Sequence, residues 1–311
     1  MSVWVRALLG TIFSAAISLR GVKHSHSLTP YGGVAAFVLG VLTFASGYSF
    51  AATLLVFYLS SSRLTKYQAS VKRRQEEEYK VGGQRNVFQV LCNGGLGTLL
   101  AVSHLLVSSS ISAPAQCVSF DGSTADMLLI AFVGFYACCA GDTWASEIGS
   151  VAGGTPRLIT TLRPVPPGTN GGVSFTGLMA SLTGGLVVGI CFVLSRYFFD
   201  GVMFSTAASP LLAFPQRNVG LLATHLGCPR HQAWVVLAAG AAGLAGSLID
   251  SLLGAVLQAT YYDSDRKLIT SHFSVGSHRI SGRDILSNNG VNFLSSLSTA
   301  ILTPVLASWL L

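Results

Sequence analysis

Charge is scarce in this chain: 10% of its 311 residues are charged, and only twelve are acidic. Soluble domains carry about 25% charged residues, which keep their surfaces solvated. So low a share cannot clothe a water-facing globule, and the soluble classes are excluded. The familiar nucleotide and catalytic signatures are missing as well. There is no GxxxxGK[ST] phosphate loop, no GxGxxG fingerprint, no HExxH and no protein-kinase signature. Seven histidines are scattered, mostly in polar segments, so none stands out as catalytic. Cysteines at 92, 117, 138, 139, 191 and 228 form no CxxC pair, and several lie inside apolar runs. They read as free thiols packed among helices rather than as a metal or disulfide framework.

What the chain has in quantity is apolar surface. Half of its residues are hydrophobic, and the mean hydropathy is +0.58. Apolar runs separated by short polar segments predict an all-α, polytopic transmembrane bundle of about seven or eight spans. One integral membrane domain, 1–311, is expected, with a charged cytosolic loop at 61–86. Thirty-four glycines suit helices that pack closely in a bilayer. Spans are expected at 3–19, 31–46, 48–60, 87–109, 126–149, 173–196, 232–258 and 291–310. As one helix, Tyr31 to Leu59 would be about 43 Å long against a hydrocarbon core of about 30 Å. It is therefore split at Ser46-Gly47-Tyr48-Ser49.

Eight spans place the loops 20–30, 61–86, 153–172 and 259–288 on one side, with fifteen of the nineteen basic residues. The others are Arg6, Arg196, Arg217 and Arg230. The positive-inside rule then puts the basic loops in the cytosol, in an endomembrane such as the endoplasmic reticulum. A single Tyr31–Leu59 span would move only the N-terminal portion, and the three later loops would still share a face. Ala15-Ala16 offers a signal-cleavage site, but cutting there would strand Arg20 and Lys23 on the wrong side. A net charge of +7 distributed this way serves topology, so no nucleic-acid partner is expected. The charged run Lys72–Lys80 reads as a solvated helix with local ion pairs, its basic end available to lipid headgroups.

Three acids lie near membrane depth. Asp142 and Glu147 sit in GDTWASEIG (141–149), and Asp250 sits in GSLIDSLLG (246–254). Both aspartates are about 10–12 Å inside their helix ends by the helical rise. Ionisable groups there are costly and mark function by default. Gly243, Ser247, Asp250, Gly254 and Gln258 form one small, polar helical face that should look into the bundle. Asp142 and Glu147 are about 500° apart around a helix, so they do not share a face. Asp142 with Asp250 is the better pair for Mg²⁺ through water and phosphate oxygens. Glu147 has a competing role as an interfacial acid paired with Arg157 or Arg163.

The loop RLITTLRPVPPGTNGG (157–172) is stiffened by three prolines, while Gly168, Gly171 and Gly172 allow close backbone approach. It delivers Asn170 to the start of a span, where a helix N-terminus favours phosphate. Arg157 and Arg163 can add charged contacts. Alone, such a loop also reads as a simple turn. Tyr31-Gly32-Gly33, Asn93-Gly94-Gly95, Asn170-Gly171-Gly172 and Asn288-Asn289-Gly290 are expected to open four helices on the same face.

Together, GGQRNVFQVLCNGG (82–95), GDTWASEIGS (141–150), RLITTLRPVPPGTNGGVS (157–174), GSLIDSLLGAVLQATYYD (246–263) and NNGVN (288–292) resemble the transmembrane protein 19 family. That family also includes the plant chloroplast phytyl-phosphate kinase of tocopherol synthesis. The resemblance implies transfer of phosphate from a nucleoside triphosphate, CTP or ATP, onto an isoprenyl monophosphate. Asp142, Glu147 and Asp250 would then hold Mg²⁺ and phosphates. Arg157, Arg163, Asn170, Asn288 and Asn292, with Gly168, Gly171 and Gly172, would line the phosphates. An acceptor phosphate needs no strong base, so positioning and charge neutralisation suffice. Two other readings use the same features: a flippase for an anionic lipid, and a non-catalytic membrane protein.

Overall fold

The computed structural model describes residues 2–74, 83–108, 123–202 and 229–310. All eight expected spans are helical. They are α1 (Val3–Lys23), α2 (Pro30–Ser46), α3 (Tyr48–Lys66), α5 (Val87–Ser108), α6 (Thr124–Gly149), α7 (Phe175–Ser195), α8 (Pro229–Leu257) and α9 (Asn288–Leu310), with a short α4 (Ala69–Lys72) between α3 and α5. Six of them, α1, α5, α6, α7, α8 and α9, are long and apolar enough to cross a bilayer. The 17-residue α2 is apolar but shorter, and α3 carries Arg63 and Lys66 in its last turn.

The chain reverses at Gly47, where an extended backbone ends α2. Both outer ends of this hairpin return to one face. Tyr58 of α3 shares a 2.7 Å hydrogen bond with Ser27, just before α2, and Lys66 donates to the Ser25 carbonyl. Arg85, at the start of α5, pairs its backbone with Ser27 and Thr29. The Asn170 N–H donates to Thr260 Oγ1 at 3.2 Å, joining the 153–172 loop to the segment after α8. Lys72, between α3 and α5, bonds Glu147 at the end of α6, so the described parts of the four basic loops share a face.

Helix α6 is the axis. Its sequence is apolar all round, as a helix surrounded by protein must be. Leu129 through Gly141 are all buried, and α6 packs on α3, α5, α7, α8 and α9. The tightest crossing is between α6, α7 and α8. A Cβ at Gly141 would sit 2.6 Å from the Gly243 carbonyl oxygen, and one at Gly243 would sit 2.7 Å from that of Ser181. Small residues here let backbones touch, which is how membrane helices gain dispersion contacts without a hydrophobic driving force. By contrast, α1 packs chiefly on α2.

Strands, which an all-α reading does not include, decorate the loop face. β1 (Arg157–Leu158) pairs antiparallel with β2 (Gly172–Val173). β3 (Thr260–Asp263), β4 (Leu268–Thr270) and β5 (Ser277–Ser281) form an antiparallel sheet of order β4-β3-β5.

Backbone cannot yield where a flexible side chain can. Gly141→Ala should therefore destabilise the protein by about 1–3 kcal/mol through overpacking. Gly95, whose added Cβ would meet nothing within 4 Å, should tolerate alanine or gain by about 1 kcal/mol from helix propensity. Thermal unfolding of the two variants in the same detergent checks the contrast.

Candidate functional site

The α6–α8 crossing sets the position of the acids. Cys138 of α6 lies against Gly246 of α8 and Thr299 of α9, since a Cβ on Gly246 would meet Cys138 Sγ and Thr299 Oγ1. One turn toward the loop face on each helix brings Asp142, Asp250 and Ser295 to the same level. Asp142 and Asp250 interact electrostatically, and each is half-buried. Ser295 Oγ donates to Asp250 Oδ2 at 2.9 Å. Sequence reasoning did not single out this serine, although its place in the polar run Ser295-Ser296 of a membrane helix was a signal. Gly243, Ser247, Gly254 and Gln258 are buried, while Leu252 and Val256 on the remaining surface are exposed. The small, polar face of α8 thus looks inward and carries Asp250 with it.

Glu147 does not join the aspartate pair through a shared face. Its carboxylate accepts a 2.5 Å hydrogen bond from the Lys72 ammonium. That ammonium also donates to the Leu64 carbonyl at 2.9 Å. Lys72 is buried, with a side chain 5% exposed against 19% for Glu147. Two expectations are corrected here. Lys72 is not part of a solvated face, and the partner of Glu147 is neither Arg157 nor Arg163. Arg73 and Arg74 are exposed, and the rest of the charged run, 75–80, lies outside the described residues.

The proline–glycine loop is built as a docked strap. Gly171 has φ +81° and is buried, its missing Cβ leaving room for Ala255 and the Ser251 carbonyl of α8. Any side chain there would be strained and would collide with the helix. The Asn170 side-chain amide reaches the Ala259 carbonyl at 3.5 Å, and Ser281 Oγ donates to the Asn170 carbonyl at 3.3 Å. Asn170 thus joins the strap to β3 and β5. The Arg157 guanidinium donates to the Leu162 carbonyl, within the loop. Arg157, Arg163 and Gly168 are exposed, and Gly172 is half-buried in β2.

Of the four expected helix starts, Tyr31-Gly32-Gly33 opens α2 and Asn288-Asn289-Gly290 opens α9, while Asn170-Gly171-Gly172 stops short of α7. Asn93-Gly94-Gly95 lies inside α5, whose start is instead capped reciprocally by Asn86 and Gln89, at 3.0 Å in each direction. This is the exchange of a capping box, with asparagine at the cap. Thr29 caps α2, Ser174 caps α7, and Ser287 approaches the Gly290 N–H of α9 at 3.4 Å. Each cap takes one first-turn N–H, leaving other donors of that turn available. Asn288 is exposed on the first turn of α9. Asn292 is half-buried one turn further, at the spacing that puts it on the Ser295 face.

Among the described residues, no group of three His, Cys, Asp or Glu side chains could hold a metal ion. Two carboxylates without a third suit Mg²⁺, which retains waters and takes phosphate oxygens to complete its shell. The four described cysteines are free thiols.

Residues 12–300 match the family described as integral membrane protein DUF92. The chain belongs to this DUF92 family. Protein PGR of Arabidopsis thaliana is 39% identical to it over 301 residues, 96% of each chain. An uncharacterized membrane protein of Synechocystis is 28% identical over 209 residues, 66% of this chain and 75% of that one. Protein VTE6, chloroplastic, of Arabidopsis thaliana is 29% identical over 157 residues, 50% of this chain and 44% of that one. No solved structure matches this DUF92 chain.

Removing one member of the buried Lys72–Glu147 pair leaves the other charge uncompensated. Lys72→Met or Glu147→Gln alone should each cost about 3–5 kcal/mol, and the double substitution should cost less than the sum. A double-mutant cycle of unfolding midpoints in detergent reads that difference directly.

Proposed function

We propose that this DUF92 protein is a membrane-embedded phosphotransferase acting on an isoprenyl monophosphate. An oxygen of the lipid phosphate attacks the terminal phosphorus of a nucleoside triphosphate, CTP or ATP. The bond to the bridging oxygen breaks, and an isoprenyl diphosphate and a nucleoside diphosphate result. The observation that carries the reading is the juxtaposition of Asp142 and Asp250, from different helices, inside the loop face of the bundle. Two half-buried acids that repel each other are costly unless a cation joins them. Kinship with a chloroplast protein of plants, and the motif resemblance to the phytyl-phosphate kinase, support the choice of substrate.

In this reading Asp142 and Asp250 hold Mg²⁺, which supplies charge neutralisation at the phosphates. Ser295 positions the Asp250 carboxylate through its hydrogen bond. Asn292, on the same face of α9, and Asn288 contact phosphate oxygens at the helix start. Arg157 and Arg163 are exposed and serve the outer phosphates of the donor. Glu147 acts at one remove, fixing α4 against α6 through Lys72. No general base is required, because the acceptor oxygen is already anionic.

The positive-inside rule assigns the loop face to the cytosol, and we propose the endoplasmic reticulum as the membrane. An Asn-x-Ser/Thr glycosylation acceptor inserted at exposed Gly153-Gly154 should stay unmodified in cells. A glycan there would reverse the assignment.

Asp142→Asn and Asp250→Asn should each lower nucleotide-dependent formation of isoprenyl diphosphate by at least about a hundredfold, as loss of a metal-holding charge does. Ser295→Ala should leave residual activity. Radiolabelled triphosphate turnover with purified protein, in lipid, across a panel of prenyl phosphates measures all three. Wild-type protein that yields no product, yet moves the lipid between leaflets without nucleotide, would replace the kinase with a flippase.

A further inference from the structure

Residues 83–95 contribute nothing to the aspartate pair. They do contribute to a half-open cavity of about 400 Å³ bordered by α1, α2, α3 and α5. Side chains such as Phe13, Phe44 and Leu55 make its walls apolar. Tyr48 and Tyr58, both lining it, are about 15 Å apart along α3 by the helical rise. The space therefore extends from the loop face through about half of a 30 Å hydrocarbon core. Its volume lies toward the small end of the roughly 300–1,000 Å³ typical of small-molecule sites.

The polar lining is ordered. Arg85, Gln89 and Asn93 all border the cavity, Arg85 nearest the loop face and Asn93 about 6 Å deeper along α5 than Gln89. They recur every four residues, so they stack on one face of α5 and the residue pair before it. Arg85 is half-buried. Its guanidinium donates to Ser62 Oγ at 3.0 Å, and among the described residues no carboxylate lies within ion-pair distance of it. Burial disfavours its charge, while Tyr58 and Glu147 act in the opposite sense. Glu147, however, is held by Lys72. Gln89 uses its Oε1 to cap the helix, which leaves its NH₂ group as a donor. A cation so placed, at the mouth of an apolar slot, calls for an anion with an apolar tail.

We propose that this cavity binds a single-chain lipid phosphate, its hydrocarbon chain between α1, α2, α3 and α5 and its phosphate at Arg85. The Gln89 amide, one turn from Arg85, flanks the same phosphate. The site does not depend on phosphotransfer, because Asp142 and Asp250 are not part of the lining. Glu147 and Asp142 project from different faces of α6.

Photolabelling of the full chain in phosphatidylcholine nanodiscs tests the site, with a diazirine-bearing dodecyl phosphate as probe. Adducts should map to the cavity walls on α1, α2 and α3, and unlabelled farnesyl phosphate should displace them. Farnesol, with the chain but no charge, should compete at least about tenfold less well, the equivalent of one charged contact. Arg85→Gln should weaken labelling by a similar factor, and Arg85→Lys should restore most of it. Ala52→Phe, which fills the slot without touching the cation, should abolish labelling while the unfolding midpoint is retained. Asp142→Asn should label like the wild type. Adducts spread over the outer surfaces of the bundle, or equal competition by farnesol, would overturn the proposal even if phosphotransfer is found. Cavity labelling without turnover would instead retain it and remove the kinase.

Discussion

Backbone-to-backbone contact at the crossing of α6, α7 and α8 fixes everything that matters chemically in this protein. Gly141 touching Gly243 brings two helices closer than ordinary side chains permit. Just beside it, Cys138 lies against Gly246, and one turn beyond that second contact on each helix stand Asp142 and Asp250. In a bilayer this contact has no hydrophobic effect behind it, and dispersion between small residues has to hold it. The same closeness makes the arrangement sensitive to a single added methyl group. Geometry at the acids and stability of the bundle are thus two readings of one contact.

Around that crossing the loop face is tied together by hydrogen bonds and one buried ion pair. Lys72 reaches from a four-residue helix to the end of α6. Asn170 and Ser281 join the proline–glycine strap to the small sheet. These ties are polar and lie where water and headgroups begin, so each costs less desolvation than it would at the bilayer centre. They hold the ends of the helices while apolar packing holds their middles.

The helices were legible in the sequence because long apolar runs have few alternatives in a charge-poor chain. The break at Gly47 was legible from length alone. The acids on α6 and α8 could be found because a carboxylate within an apolar run is rare. What escaped has a physical reason in each case. Glu147 and Lys72 are 75 residues apart in sequence, and no local pattern announces their meeting. The repeated Asn-Gly-Gly letters suggested a common helix start, yet Asn93 lies within α5, and the reciprocal Asn86–Gln89 cap was the stronger signal. The sheet at 260–281 was hidden inside a polar loop, although Thr260-Tyr261-Tyr262 carries the branched and aromatic side chains that strands favour. Ser295 went unremarked because hydroxyls are common in membrane helices and only its carboxylate partner makes it informative.

The attachment of α1 has an architectural consequence. Because it leans chiefly on α2, a displacement of α1 would leave the glycine crossing deeper in the protein intact. Such a displacement would sacrifice neighbours along one helix chiefly and would widen the half-open slot sideways, toward the surrounding leaflet. A greasy molecule could then arrive laterally without its tail ever crossing water, a route that a slot opening only to the aqueous phase would deny it.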